Sequence, residues 1–175
     1  YDWCAIHKAE QEVKDQFRQQ LQRGKNIGII SEAGCPGVAD PGQILVAAAQ
    51  QMGAVVKPLV GPSSILLALM ASGLNGQHFQ FHGYLPIDAS ARNKLLKELE
   101  QESIRTGCTQ LFIETPYRNN ALLEAILQQC RPDLRLCIAV DITGTNELIQ
   151  TRTLRDWQKN KPELHKRPAV FLIGS

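Results

Sequence analysis

Apolar side chains recur at Val13, Phe17 and Leu21, four residues apart with polar residues between them. That spacing predicts an amphipathic helix over residues 10–23, with Gly24 placed to end it. The pattern then changes. Residues 26–30 read as a short buried strand, 43–52 as a helix stopped by Gly53, and 55–59 as a second strand. This β-α-β alternation predicts parallel strands with a right-handed crossover, so the loops at 31–42 and 61–64 are expected at one edge of a sheet. A short apolar helix is expected at 64–71. Beyond it the pattern predicts a strand at 79–83, a helix at 89–101, a strand at 109–114, a helix at 119–129 and strands at 134–140, 147–151 and 169–174. Too few residues separate 134–140 from 147–151 for a helical crossover, so part of this second sheet is expected to be antiparallel.

The expected class is therefore α/β, with a parallel first domain and a mixed-sheet second domain. Ser72-Gly73-Leu74-Asn75-Gly76-Gln77 is small, polar and glycine-rich, which places the linker at 72–77 between domains at 1–74 and 78–175. A chain of 175 residues with 43% hydrophobic content can bury one good core or two small ones. The longest apolar stretches, near 65–71 and 44–49, fall far short of the roughly 20 residues that cross a bilayer. No membrane span or signal peptide is expected, and the cytoplasm is the expected location. A net charge of +2 is too small to mark a nucleic-acid binder by itself. The five cysteines are scattered without a C-x-x-C pair, so no metal site and no disulfide framework is expected. The chain starts at Tyr1 and runs at once into Trp3-Cys4-Ala5-Ile6, which reads as the end of a strand, so an N-terminally incomplete first domain is expected.

The segment Ser31-Glu32-Ala33-Gly34-Cys35-Pro36-Gly37-Val38-Ala39-Asp40-Pro41-Gly42 sits where the first expected strand hands over to a helix. Three glycines and two prolines there allow close approach of backbone to a ligand, and equally they serve turn geometry alone. The loop has neither the G-x-x-x-x-G-K-[ST] nor the G-x-G-x-x-G pattern, so a nucleotide polyphosphate is not indicated.

This loop resembles the S-D-A-G-T-P-x-x-S-D-P-G loop of the tetrapyrrole methylase superfamily, in the branch that methylates a ribose 2'-oxygen of small-subunit ribosomal RNA. Pro58-Leu59-Val60-Gly61-Pro62-Ser63-Ser64 resembles the family's P-x-x-G-P-x-x, and His82-Gly83-Tyr84-Leu85-Pro86 its G-[FY]-L-P. Glu114-Thr115-Pro116-Tyr117-Arg118 resembles the branch's E-S-P-H-R. Four ordered matches cover almost the whole chain. They imply a two-domain S-adenosyl-L-methionine-dependent methyltransferase that holds its cofactor between the domains. The implied acceptor is ribosomal RNA or the small ribosomal subunit, and the implied assembly is a homodimer. Relatives also carry an upstream first strand and glycine loop absent from this sequence. A tetrapyrrole or other small-molecule acceptor, or a non-catalytic cofactor-binding or protein-interaction relative, remain the alternatives.

By the same resemblance Ala33, Gly34, Cys35, Pro36 and Val38 contact the methionine end of the cofactor, and Pro168, Ala169 and Val170 frame its adenine. Ser63 and Ser64 are implied to touch the cofactor, although capping a helix start would also explain them. Ile113 and Glu114 are implied to lie near it, while Glu114 and Arg118 could equally be a structural ion pair. Substrate contacts are implied for His7, Tyr84, Arg92, Lys94 and Arg118. A solvated helix face would explain Arg92 and Lys94 as well. Methyl transfer to a ribose hydroxyl needs a base, for which Asp40 and Glu114 are the candidates. The chain departs from the branch at Ala9, Tyr117, Val140 and Gly144, the last two standing where cations are expected.

Overall fold

The computed structural model describes residues 2–6 and 10–175, which divide into a unit ending at Ser63 and a unit beginning at Ser64. In the first unit, α1 (Glu10–Gln22) and α2 (Gln43–Gln51) pack together. The four-residue spacing is realised as a small core of Phe17, Leu45, Ala48 and Ala49, with Val13, Leu21, Ile29 and Ile44 partly buried against it. Both helices stop as the glycines predict. Gly24 and Gly53 hold φ of 75° and 70°, and the amides of Lys25 and Ala54 reach back to the Gln20 and Ala49 carbonyls at 3.1 and 3.0 Å.

The strands expected at 26–30 and 55–59 do not form: the described residues of this unit contain no strand. A strand exists only where a neighbour supplies a matching row of N–H and C=O groups, and these two segments meet none. Apart from the partly buried Ile29, their apolar side chains are correspondingly open, with Leu59 91% exposed. The two loops expected at one edge are nevertheless adjacent, since the Cys35 thiol donates to the Pro62 carbonyl at 3.6 Å.

The second unit is a five-stranded mixed sheet with helices on both faces. Its elements are α3 (Ser64–Ser72), β1 (Phe79–Tyr84), α4 (Ala89–Thr106), β2 (Thr109–Ile113), α5 (Asn119–Gln129), β3 (Arg135–Val140), β4 (Leu148–Thr153), α6 (Leu154–Lys159) and β5 (Ala169–Gly174). Strand order is β1-β2-β5-β3-β4, with β1 and β2 parallel and every other pair antiparallel. Side-chain alternation splits the core in two. Phe112, Leu136, Ile138, Phe171 and Ile173 face Leu96, Leu122, Leu123, Ile126 and Trp157 of the helices, whereas Leu111, Cys137, Ala139, Val170 and Leu172 pack with Ala68 and Leu69 of α3.

The segment expected as a linker at 72–77 is an anchored turn inside this unit, so the division falls ahead of α3. Thr151 Oγ1 donates to the Ser72 carbonyl at 2.6 Å, Asn75 Nδ2 to the Gly107 carbonyl at 2.9 Å, and Thr109 Oγ1 to the Asn75 carbonyl at 2.9 Å. Leu74 lies so close to Gly174 that a Cβ there would stand 2.8 Å from its Cδ2. Small polar residues that look like a linker are here the ones whose amides and carbonyls can be stitched to the sheet.

Candidate functional site

Five strand ends meet at one end of the sheet. Because β1 and β2 are parallel and β5 and β3 alternate in direction, Tyr84, Ile113, Val170 and Val140 come to the same end, with Tyr84 beside Ile113, Ile113 opposite Val170, and Ala169 opposite Val140. The sequence-assigned residues Tyr84, Ile113, Glu114, Arg118, Pro168, Ala169 and Val170 are thereby gathered within one unit. A bulge in β1 contributes to this. Phe81 pairs with Leu111 but Tyr84 with Ile113, so one extra residue sits in β1, and Gly83 takes φ 66° there. Such a bulge re-aims the next side chain, and Tyr84 is exposed.

Glu114 follows β2 with its side chain only 1% exposed. Its Oε1 accepts from the Thr115 amide at 2.6 Å and from Arg118 Nη2 at 2.7 Å. Its Oε2 is buried with no protein partner, as is Arg118 Nε. A buried carboxylate oxygen without a donor is costly, so this is a place prepared for a donor group. The hydrogen bond that Arg118 donates to Glu114 is the leading cause that raises its guanidinium above its ordinary pKa.

Arg167, just before β5, clamps the β3–β4 turn. Its Nε donates to Asp141 Oδ2 at 2.8 Å and its Nη2 to the Asn146 carbonyl at 2.7 Å, while Asn119 Nδ2 donates to the Arg167 carbonyl at 2.7 Å. Sequence reasoning missed this set. Its signal in the sequence was the pair Asn119-Asn120 opening a helix; the left-handed Asp141 at φ 47° shows only in the fold. Val140 is wholly buried among the core side chains, and at Gly144 a Cβ would stand 3.0 Å from the Asp141 carbonyl oxygen, so the tight turn favours glycine where a cation was expected.

In the first unit the loop 31–42 exposes Ala33, Gly34, Pro36 and Val38 and half-buries Cys35 and Asp40. Ser31 Oγ both donates to the Ala33 carbonyl at 2.9 Å and accepts the Ala33 amide at 3.3 Å, and the Gly37 amide donates to the Pro41 carbonyl at 3.2 Å. Gly34 and Gly37 hold φ of 80° and 78°, which turns the chain so that small side chains and main chain are presented to solvent. Ser63 closes this unit and Ser64 opens α3. Of the expected substrate residues, Lys94 is tied to Glu98 at 3.9 Å, Arg92 is half-buried on α4, and His7 lies outside the described residues. No group of metal ligands occurs among the described residues.

No protein-family model matches the chain. It is 35% identical over 173 residues to a Vibrio cholerae protein named ribosomal RNA small subunit methyltransferase I, covering 97% of this chain and 59% of that one. A Pseudomonas aeruginosa protein of the same name is 31% identical, covering 98% of this chain and 60% of that one. Among solved structures, the methyltransferase CobJ superposes with TM-score 0.60 at 23% identity, covering 90% of this chain and 68% of its own. The chain shares the fold of that structure.

A further solved structure, the uroporphyrin-III C-methyltransferase of Thermus thermophilus complexed with S-adenosylhomocysteine, superposes with TM-score 0.55 at 19% identity over 98% of this chain and 75% of its own. These two structures and this chain share a fold. The chain spans about three fifths of the length of the curated relatives it matches.

Proposed function

We propose that this protein is an S-adenosyl-L-methionine-dependent methyltransferase acting on a ribose 2'-oxygen of small-subunit ribosomal RNA. The observation that carries the reading is the match, over 97% of the chain, to a relative named for methylation of that RNA. The donor set suits the cofactor. Its amine and ribose hydroxyls are hydrogen-bond donors, and the unpartnered Glu114 Oε2 is a buried acceptor lacking one. Ala33, Gly34, Cys35, Pro36, Val38, Ser63 and Ser64 in the first unit, and Ile113, Glu114, Pro168, Ala169 and Val170 in the second, are the residues proposed to hold it.

Bound S-adenosylmethionine would supply an electrophilic methyl group on a sulfonium. The chain's task is then to orient the acceptor and accept its proton, for which Asp40 and Glu114 are the proposed carboxylates. Tyr84, Arg92, Lys94 and Arg118 are the proposed RNA contacts. The reading includes a homodimer in the cytoplasm; no described helix is long and apolar enough to cross a membrane. A tetrapyrrole acceptor has weaker support, because the structures named for uroporphyrin-III are under 25% identical to this chain.

Two measurements on the full-length protein test this. Calorimetry should detect S-adenosylhomocysteine binding, and labelled methyl should pass to undermethylated small ribosomal subunits. Absence of cofactor binding would remove the enzyme reading, and binding without transfer to the subunit would remove the RNA reading alone.

A further inference from the structure

The turn from β2 to α5 carries Tyr117 with its side chain 69% exposed, and its ring meets His165 edge-on, with centroids 5.9 Å apart and planes at 72°. An exposed tyrosine is ordinary; a tyrosine held by a pinned loop is less so. His165 lies in the loop ahead of β5, and that loop is fastened at three points to the start of α5 and at one to the turn before it. The Lys166 amide donates to the Pro116 carbonyl at 3.0 Å, and the Leu164 amide to Asn120 Oδ1 at 2.9 Å. Asn120 Nδ2 donates to Glu163 Oε1 at 2.6 Å, and Asn119 Nδ2 to the Arg167 carbonyl at 2.7 Å. Lys166 holds φ 61°, a left-handed conformation that costs a non-glycine residue energy and persists where surrounding bonds enforce it.

This scaffold fixes an exposed aromatic ring with basic residues next to it in the chain. Arg118, paired with Glu114, follows Tyr117, and Lys166 follows His165. The acidic neighbour Glu163 is already engaged by Asn120 and by the His165 amide at 2.7 Å. Aromatic faces flanked by Lys and Arg are what unpaired nucleic-acid bases stack on, whereas duplex RNA is recognised through its backbone and minor groove.

We propose that Tyr117, steadied by His165, is a stacking platform for an unpaired base of the RNA acceptor, with Lys166 as its phosphate partner. The proposal rests on the RNA reading above. It adds that the acceptor presents a single-stranded or flipped nucleotide to this end of the sheet.

The test is titration of the full-length protein with a short single-stranded RNA carrying 2-aminopurine, with a matching duplex and with S-adenosylhomocysteine. Tyr117→Ala should weaken single-strand binding on the order of tenfold and abolish the fluorescence quench that stacking causes. Tyr117→Phe, which keeps the π face, should bind as the natural protein does, and duplex and S-adenosylhomocysteine affinities should not move. His165→Ala, which leaves the tyrosine in place but unsteadied, should give an intermediate loss and keeps the test alive if Tyr117→Ala fails to fold. Single-strand affinity unchanged in Tyr117→Ala and His165→Ala overturns the platform and leaves the RNA reading standing. A natural protein that binds the cofactor but no RNA overturns both. A loss seen on intact subunits and not on naked RNA assigns the face to a protein contact and overturns the platform.

Discussion

Cys130 shows how burial turns a reactive residue into a structural one. It caps the end of α5 within the larger core, its Sγ 3.9 Å from the Leu96 carbonyl, and burial, followed by the nearby Glu100 carboxylate, pushes its thiol from 9.0 up to about 12. The folded state therefore keeps a proton that the unfolded chain gives up near pH 9. Stability from this group is fully present below the unfolded pKa and is lost as pH rises toward the folded one. The advantage of the natural protein over Cys130→Ala in urea unfolding should be constant up to about pH 8 and shrink by about pH 10. An unchanged difference would mean that the buried thiol does not titrate as its surroundings dictate. Cys108 and Cys137 are raised by burial in the same direction. The pattern of a core cysteine is legible in a sequence only as an apolar context. The departures at Val140 and Gly144 were visible as substitutions, but the wholly buried site of one and the tight turn at the other depend on the folded chain.

At the scale of elements, the division ahead of α3 makes a prediction that a linker at 72–77 would not. Residues 55–63 are exposed apart from a half-buried Ser63 and form no ladder, while 72–77 are held by the bonds of Ser72 and Asn75. Brief digestion with a non-specific protease should cut first within 55–63, and mass spectrometry should recover a fragment starting near Ser64. First cuts at 72–77 would show that the anchored turn opens. Elements whose signals are local were legible: α5 starts and ends where its Asn119 to Gln129 pattern predicts, and β5 coincides with its apolar run. The 26–30 and 55–59 runs were misread because an apolar run reports burial potential, whereas a strand needs a partner that no local pattern supplies. α4 runs on to Thr106, and the overlooked stop is Gly107 at φ 67°. The short α6 was missed although Thr153 caps it, accepting the Asp156 amide at 3.3 Å, and Leu154 and Trp157 make a buried i, i+3 pair. The gathering of Tyr84, Ile113, Glu114 and Val170 was not in any spacing; it follows from strand order.

Across these 175 residues, a net charge of +2 constrains how they hold RNA. The cations near the sheet end are largely spoken for by carboxylates, Arg118 by Glu114 at 2.7 Å and Arg167 by Asp141 at 2.8 Å. Lys94, on α4, is paired with Glu98, whereas Lys166 and Arg92 form no ion pair among the described residues. Two or three phosphates are then the most that this part of the protein neutralises. Since each single-stranded phosphate contact contributes roughly −0.7 to the slope of log affinity against log salt, a slope of about −1.4 to −2 is expected. Anisotropy titrations of single-stranded RNA across a potassium chloride series measure it directly. A slope steeper than about −4 would reveal a broad basic surface and contradict the account in which stacking carries the affinity. A shallow slope together with the loss in Tyr117→Ala would place specificity in base contacts rather than in counterion release, because only the former discriminates an unpaired nucleotide from the phosphates that every RNA presents.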